Sequence, residues 1–312
     1  MRFMLSTLAI LAAAPAFAQA PQVVVDTPVT ASLVSQVTGD GGTVSVLLPQ
    51  GASVHHHQMR PSDARNLQAA DLLIWTGPEL TPWLERSAAT LGGDAAQLRL
   101  LEVADTHRRP YGDGQAHDDH GDDHGHDHGH GHDHGHGGGA VDPHAWLDPD
   151  NARTWLAAIA EALATADPAN RDAYADNARA AADRIAALDR ALQARLAPHA
   201  EAGFVVFHDA YGYFTDHFGL KPAIAVSLGD ATAPSAARLS AIREQIVDTG
   251  ATCAFPEYGS DPRLMDTVAE GTGLRMGGEL SPEGGALPPG PDLYASLMTA
   301  MAERLEACLP KG

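Results

Sequence analysis

Short apolar runs alternate with amphipathic runs over the first hundred residues. Four runs are apolar almost throughout, as parallel strands covered on both faces are; they lie at 22–27, 43–49, 71–77 and 98–103. The amphipathic segments between them carry helix-start signals: Ser62 as an N-cap, and Thr81 followed by Pro82 at the first helical position. This alternation predicts an α/β unit with a mainly parallel sheet.

A second set of alternating runs begins beyond Gly203, with strand candidates GFVVFHD, KPAIAVSL, TCAFPEY and LRMGGEL. Between the two sets, Asp148 and Pro149 start one helix, and an amphipathic segment at 168–197 predicts another of about 45 Å. That length exceeds what one α/β layer needs, so we interpret it as a rigid connection between lobes. A coiled-coil dimer is the alternative, although the apolar stripe is rich in alanine and lacks opposed charges.

The predicted fold class is therefore α/β, with two lobes that each contain a mainly parallel sheet flanked by helices, joined by one long rigid helix. The predicted segments are a signal peptide at 1–20, an N-terminal α/β lobe at 21–166 that includes a disordered His-rich loop at 112–140, the long linking helix at 167–198, and a C-terminal α/β lobe at 199–312.

The first residues have the pattern of a cleavable export signal. Arg2 precedes an apolar stretch that ends in the small-x-small sequence Ala16-Phe17-Ala18. We therefore expect the mature protein to be soluble and exported into an oxidising compartment. In that oxidising compartment, we expect Cys253 and Cys308 to form a disulfide, with two buried thiols as the alternative.

The charge of the chain restricts its partners. The formal net charge is −20, with forty acidic and twenty basic residues. A surface of this kind repels nucleic acid and anionic lipid and is compatible with cationic ligands. No nucleic-acid partner is expected.

A tract of Asp, Gly and His interrupts the chain between the two sets of elements. It has no apolar periodicity and has the composition of metal-binding low-complexity segments. Because a flexible chain loses entropy when it wraps an ion, its sites should be weaker and less selective than a preorganised one. We interpret the tract as an accessory metal-binding segment, with a solvated spacer as the alternative. Its histidines are His117, His120, His124, His126, His128, His130, His132, His134 and His136.

Three histidines outside the tract lie at predicted strand–helix junctions, where side chains can project into a cleft: His55, His144 and His208. Three neutral imidazoles with one further ligand suit Zn²⁺, whereas Mn²⁺ and Ca²⁺ prefer oxygen. Each histidine alone has the pattern of an ordinary junction residue, and spacing does not establish that they converge.

Four other histidines are weaker candidates. His56 and His57 adjoin His55, and their roles stay open at this point. His199 and His217 are predicted to be ordinary residues on helix surfaces.

Four segments together resemble one known family: GASVHHHQMRPSD, DPHAWLDP, FHDAYGYF and GTGLRMGGELSP. They are similar to signature segments of the periplasmic zinc-binding proteins of bacterial high-affinity zinc ABC importers, within the solute-binding proteins called cluster A-I. The resemblance extends over roughly 22–309. It implies two lobes with the metal between them, Zn²⁺ as the transported ligand, a membrane permease as the partner, and a monomer that is not an enzyme.

The same resemblance implies that His55, His144 and His208 bind zinc. Manganese-type relatives have a carboxylate at the position of His208. Relatives often supply an acidic fourth ligand from an LDP-like stretch, where this chain has LSP, so the fourth ligand stays open between Glu279, Glu257 and water. The pair Cys253 and Cys308 also matches a disulfide of zinc-type members.

The predicted function is capture of Zn²⁺ in the cleft between the lobes and its delivery to an ABC permease. One alternative is a periplasmic zinc chaperone or buffer that never meets a permease. Another is a three-histidine zinc hydrolase with Glu257 or Glu279 as the general base. The chain contains neither HExxH nor GxSxG, so the hydrolase has little support.

Overall fold

The computed structural model describes residues 20–54, 57–111, 140–227 and 234–312. The predicted signal peptide up to residue 19, both His55 and His56, and the whole histidine tract lie outside the described residues.

The N-terminal half folds around a parallel sheet, as the apolar runs predict. Its strands run in the order β2-β1-β3-β4, and all pairings are parallel. The elements are β1 (Gln22–Val25), α1 (Pro28–Thr38), β2 (Thr43–Val46), α2 (Pro61–Gln68), β3 (Leu72–Trp75), α3 (Pro82–Leu91) and β4 (Ala96–Arg99).

The C-terminal half repeats this arrangement after two long helices. Its strands run in the order β6-β5-β7-β8, again all parallel, so the predicted fold class is confirmed. The elements are α4 (Pro149–Ala166), α5 (Arg171–Leu196), β5 (Phe204–His208), α6 (Gly212–Phe218), β6 (Ile224–Ser227), α7 (Ala236–Thr249), β7 (Cys253–Phe255), α8 (Pro262–Ala269), β8 (Arg275–Met276) and α9 (Leu293–Cys308).

Three local predictions are wrong or incomplete. Helix α2 begins at Pro61 with Arg60 as its N-cap, not Ser62, because the carboxylate of Asp63 accepts the backbone N–H of Arg60 at 2.8 Å. The chain leaves β4 at Arg99 and continues as a 3₁₀ turn, so the strand predicted at 98–103 is only partly a strand. Helices α1 and α6 were not predicted.

The long helix α5 has 26 residues and is therefore about 39 Å long. It begins slightly later than predicted. The buried side is the predicted stripe, in which Leu188 alone is only partly buried. Helices α1, α4 and α9 pack against α5. The stripe is therefore covered within the chain, which removes the argument for a coiled-coil dimer through it.

The two halves share one hydrophobic core. A single cluster of buried residues contains Leu33 of α1, Trp155 of α4, Phe204 of β5 and Tyr294 of α9. Ser32 fixes the contact between α1 and the start of α9, because its hydroxyl donates to the Pro291 carbonyl at 2.8 Å and accepts the Tyr294 N–H at 3.0 Å. The C-terminal helix thus packs on the N-terminal half, and the domain boundaries given above stay a prediction.

The Cys253–Cys308 disulfide is present and joins the first residue of β7 to the last residue of α9. Within the described ranges, no helix is both long and apolar enough to cross a membrane.

Candidate metal site

His208 lies at the carboxyl end of β5, the edge of a parallel sheet where ligands usually bind. Its ring is fully buried, and its Nδ1 lies 2.7 Å from Oε2 of Glu257. Glu257 follows β7, the neighbouring strand. A histidine that donates its Nδ1–H to a carboxylate has its lone pair on Nε2, the atom that binds a metal.

His144 is held in the same way. Its Nδ1 lies 2.8 Å from Oδ1 of Asp142, which also accepts the backbone N–H of His144 at 3.0 Å. Both side chains are fully buried. Asp142 and Glu257 therefore orient two imidazoles so that Nε2 is the ligand atom that each ring offers.

The two Nε2 atoms face each other at 3.4 Å. Two Zn–N bonds of 2.0–2.1 Å at a tetrahedral angle place their nitrogens about 3.3 Å apart. Oε1 of Glu283 lies 3.5 Å from the same Nε2 of His208. One ligand atom from each of His144, His208 and Glu283 lies within 4.8 Å of the other two, so the three can surround one ion.

Sequence analysis did not identify Glu283, although it stands two residues after Ser281, where the resemblance implies an acidic ligand. The indole N–H of Trp146 donates to the Pro282 carbonyl at 2.9 Å and so ties the His144 segment to the Glu283 segment. Burial and the charge of Glu257 raise the pKa of the Glu283 carboxyl. A divalent cation at this place would supply the missing positive charge.

The other acidic candidates take different positions. Glu279 is exposed and is not a member of the three-residue group. Glu257 contacts Nδ1 of His208 rather than Nε2, and it also accepts the hydroxyl of Tyr211 at 3.2 Å. It therefore orients His208.

His57 is not a member of this group. Its ring is packed edge-on against Trp83, with centroids 5.0 Å apart, and its Nε2 lies 3.6 Å from Asp63. His55 and His56 are outside the described residues.

A cavity of about 110 Å³ adjoins the group and is bordered by both halves of the chain, including Val54, Tyr258 and Glu283. The side-chain amide of Gln50 donates to the Leu287 carbonyl at 2.9 Å across the same cleft. The chain segment that leads to His55 therefore lies beside Glu283.

A second group, Asp148, Asp150 and His217, also has metal-ligating side chains close together. Here both ring nitrogens of His217 contact carboxylates. Nδ1 lies 3.0 Å from Asp148, and Nε2 lies 2.8 Å from Asp189. Burial lowers the pKa of His217, but these two carboxylates raise it more, to about 9. We assign His217 as an imidazolium that links α6 to α4 and α5.

The prediction that His199 and His217 are helix-surface residues is wrong. His199 is 1% exposed, and its Nδ1 lies 2.9 Å from the carbonyl oxygen of Pro310. The side chain of His217 is 12% exposed.

The His217 ion pairs should make stability depend on pH. The folded pKa of about 9 exceeds the unfolded value of 6.5, so the stabilisation is complete below pH 6.5 and is lost as pH rises through 9. We expect His217→Gln to lower the unfolding free energy by ~2 kcal/mol at pH 6, after allowance for solvent screening. Urea unfolding of both proteins at pH 6, 8 and 10 measures this difference, and a difference that stays constant with pH would contradict the assignment.

Comparison with known proteins decides the family. Residues 23–308 match the sequence profile described as "ZnuA: Zinc-uptake complex component A periplasmic". The chain belongs to this family. The high-affinity zinc uptake system protein ZnuA of Paracoccus denitrificans is 55% identical over 308 residues, which cover 96% of this chain and 94% of the relative. The protein of the same name from Brucella abortus is 39% identical over 299 residues, covering 90% and 89%.

Solved structures show the same fold. A crystal structure of ZnuA matches with a TM-score of 0.74 at 22% identity and covers 92% of this chain and 98% of that one. The solute-binding protein FpvC from Pseudomonas aeruginosa, in complex with Mn²⁺, matches with a TM-score of 0.76 at 24% identity and covers 92% and 97%. Membership in the ZnuA family identifies a periplasmic binding component of a zinc uptake system rather than an enzyme, so the hydrolase alternative is set aside.

Proposed function

We propose that this protein captures one Zn²⁺ between its two halves and, as a monomer, delivers it to the membrane permease of an ABC importer. The observation that carries the proposal is the placement of the two Nε2 atoms 3.4 Å apart with a carboxylate oxygen at 3.5 Å. Imidazole nitrogens with one carboxylate form a donor set that suits zinc, whereas Mn²⁺ prefers more oxygen.

The proposed ligands are His144, His208 and Glu283, with His55 as the fourth. The cavity beside Glu283 is bordered by Val54, which directly precedes His55, and this supports a ligand from that segment. Four protein ligands are the number that a closed tetrahedral zinc site uses.

We propose that the histidine tract is an accessory zinc-binding segment. Its nine histidines are mostly neutral at pH 7 and are interleaved with aspartates that attract cations. A chain of this composition loses entropy when it wraps an ion, so the cleft should keep the tightest site.

Deletion of residues 117–136 tests this division of roles. We expect the deleted protein to keep one tight zinc equivalent with unchanged affinity and to lose the weaker equivalents. Competition titration against a chromophoric zinc chelator measures both classes. Loss of the tight equivalent would show that the tract is part of the principal site.

Uptake of radioactive zinc tests delivery to a permease. Cells that lack their own binding component but retain the permease should regain uptake at low zinc when they express this protein. They should not regain it with His208→Ala. If the wild-type protein binds zinc but restores no uptake, the chaperone or buffer alternative is favoured instead.

A further inference from the structure

The two central ligand histidines lie on separate pieces of the chain. His144 precedes α4, whereas His208 ends β5. Their Nε2 atoms nevertheless stand at the separation that one ion needs. Some contact between these two pieces has to hold that separation.

Arg109 makes such a contact. Its Nη1 lies 3.3 Å from Oδ2 of Asp142, and its Nε donates to Asp216 at 3.1 Å. The other carboxylate oxygen of Asp142 holds the ring of His144. Asp216 lies in α6, the helix that begins four residues after His208. One guanidinium therefore joins the carboxylate that orients His144 to the helix that follows His208.

Tyr213 of α6 strengthens the same junction. Its hydroxyl accepts the backbone N–H of Arg109 at 2.9 Å and donates to the Asp142 carbonyl at 3.0 Å. The guanidinium lies over its ring, 5.8 Å from the centroid. The backbone N–H of Asp142 donates to the Arg109 carbonyl at 2.9 Å. The backbone of Arg109 is thus fixed against both Tyr213 and Asp142, and its guanidinium packs on Tyr213.

Gly212, the first residue of α6, provides the space for the guanidinium. A Cβ built on Gly212 would lie 1.3 Å from Nη1 of Arg109. The backbone of Gly212 is not in the left-handed region, so glycine is needed here for space rather than for conformation.

We propose that Arg109 is a positioning residue for zinc: through Asp142 and Asp216 it holds His144 and His208 at the separation that one ion requires. This inference rests on the proposed function. It concerns a residue outside the group formed by His144, His208 and Glu283.

Two variants test the role from opposite sides. Arg109→Gln removes the positive charge and the planar set of N–H donors of the guanidinium. Gly212→Ala keeps Arg109 but displaces its guanidinium. Each should weaken tight zinc binding by about 10- to 100-fold, the range typical of lost outer-shell partners. Arg109→Lys should fall between wild type and Arg109→Gln, because an ammonium cannot reproduce the planar fork.

Two controls separate positioning from general destabilisation. Gly41→Ala adds a Cβ with no atom within 4 Å. Arg195→Gln breaks an ion pair with Glu306 that joins α5 to α9. Zinc affinity of all full-length proteins is measured by chelator competition, well below each melting temperature. Both controls should bind zinc as the wild type does.

The inference is overturned if Arg109→Gln and Gly212→Ala keep wild-type zinc affinity, or if the controls weaken binding equally. Failure of the wild-type protein itself to bind one zinc tightly would instead refute the proposed function.

Discussion

Replacement of His208 by alanine should weaken tight zinc binding by more than 100-fold. Its Nε2 is 3.4 Å from the Nε2 of His144 and 3.5 Å from Glu283, so its removal takes away one of the three proposed ligand atoms that would surround the ion. Loss of a mere outer-shell partner already costs about 10- to 100-fold. Chelator competition with the purified full-length protein measures the change.

Two further variants make this result specific. His107→Gln removes an imidazole that is half exposed and outside the three-residue group, and it should leave zinc affinity unchanged. His208→Ala removes one hydrogen-bond partner of the buried Glu257 carboxylate and so destabilises the fold; the double variant His208→Ala/Glu257→Gln removes that charge and should still bind zinc weakly. Binding of the single variant within threefold of wild type would show that His208 is not a ligand.

Removal of the disulfide should produce the largest loss of stability. The two cysteines are 55 positions apart, and a closed loop of this length stabilises the folded state by about 4 kcal/mol in the chain-entropy model. The bridge also fixes the end of α9 to β7. Helix α9 packs on α1 and α5 and contributes to the hydrophobic core shared by both halves. Cys253→Ala/Cys308→Ala should therefore unfold at lower denaturant and melt on the order of 10 °C lower.

Zinc affinity provides the control for this second experiment. Cys253 begins β7, whereas the metal group lies at the carboxyl ends of the strands. The double alanine variant should therefore bind zinc as the wild type does under conditions where it is folded. A stability loss below 1 kcal/mol would contradict the role given to the bridge.

Much of the fold could be predicted because it depends on local pattern. The apolar runs at β1 and β3 are buried nearly throughout, as the central strands of a covered parallel sheet must be. The stripe on α5 follows from helical spacing. In contrast, α6 has only seven residues, too few for a periodic signal.

The candidate site could be predicted only in part. A histidine at a strand end is visible in the sequence, and His144 and His208 do meet. The position of Glu283 depends on how the chain returns to the cleft after β8. His217 makes its ion pairs with Asp148 and Asp189, which are distant from it in sequence. Neither contact leaves a local signal.

Anomalous diffraction at the zinc absorption edge, from crystals of the protein with one equivalent of Zn²⁺, tests the central claim most directly. The account predicts a single peak about 2.0–2.1 Å from Nε2 of His144 and of His208, with a Glu283 oxygen at about 2.0–2.2 Å. A peak that lies away from these three side chains, or bound to only one of them, would contradict it.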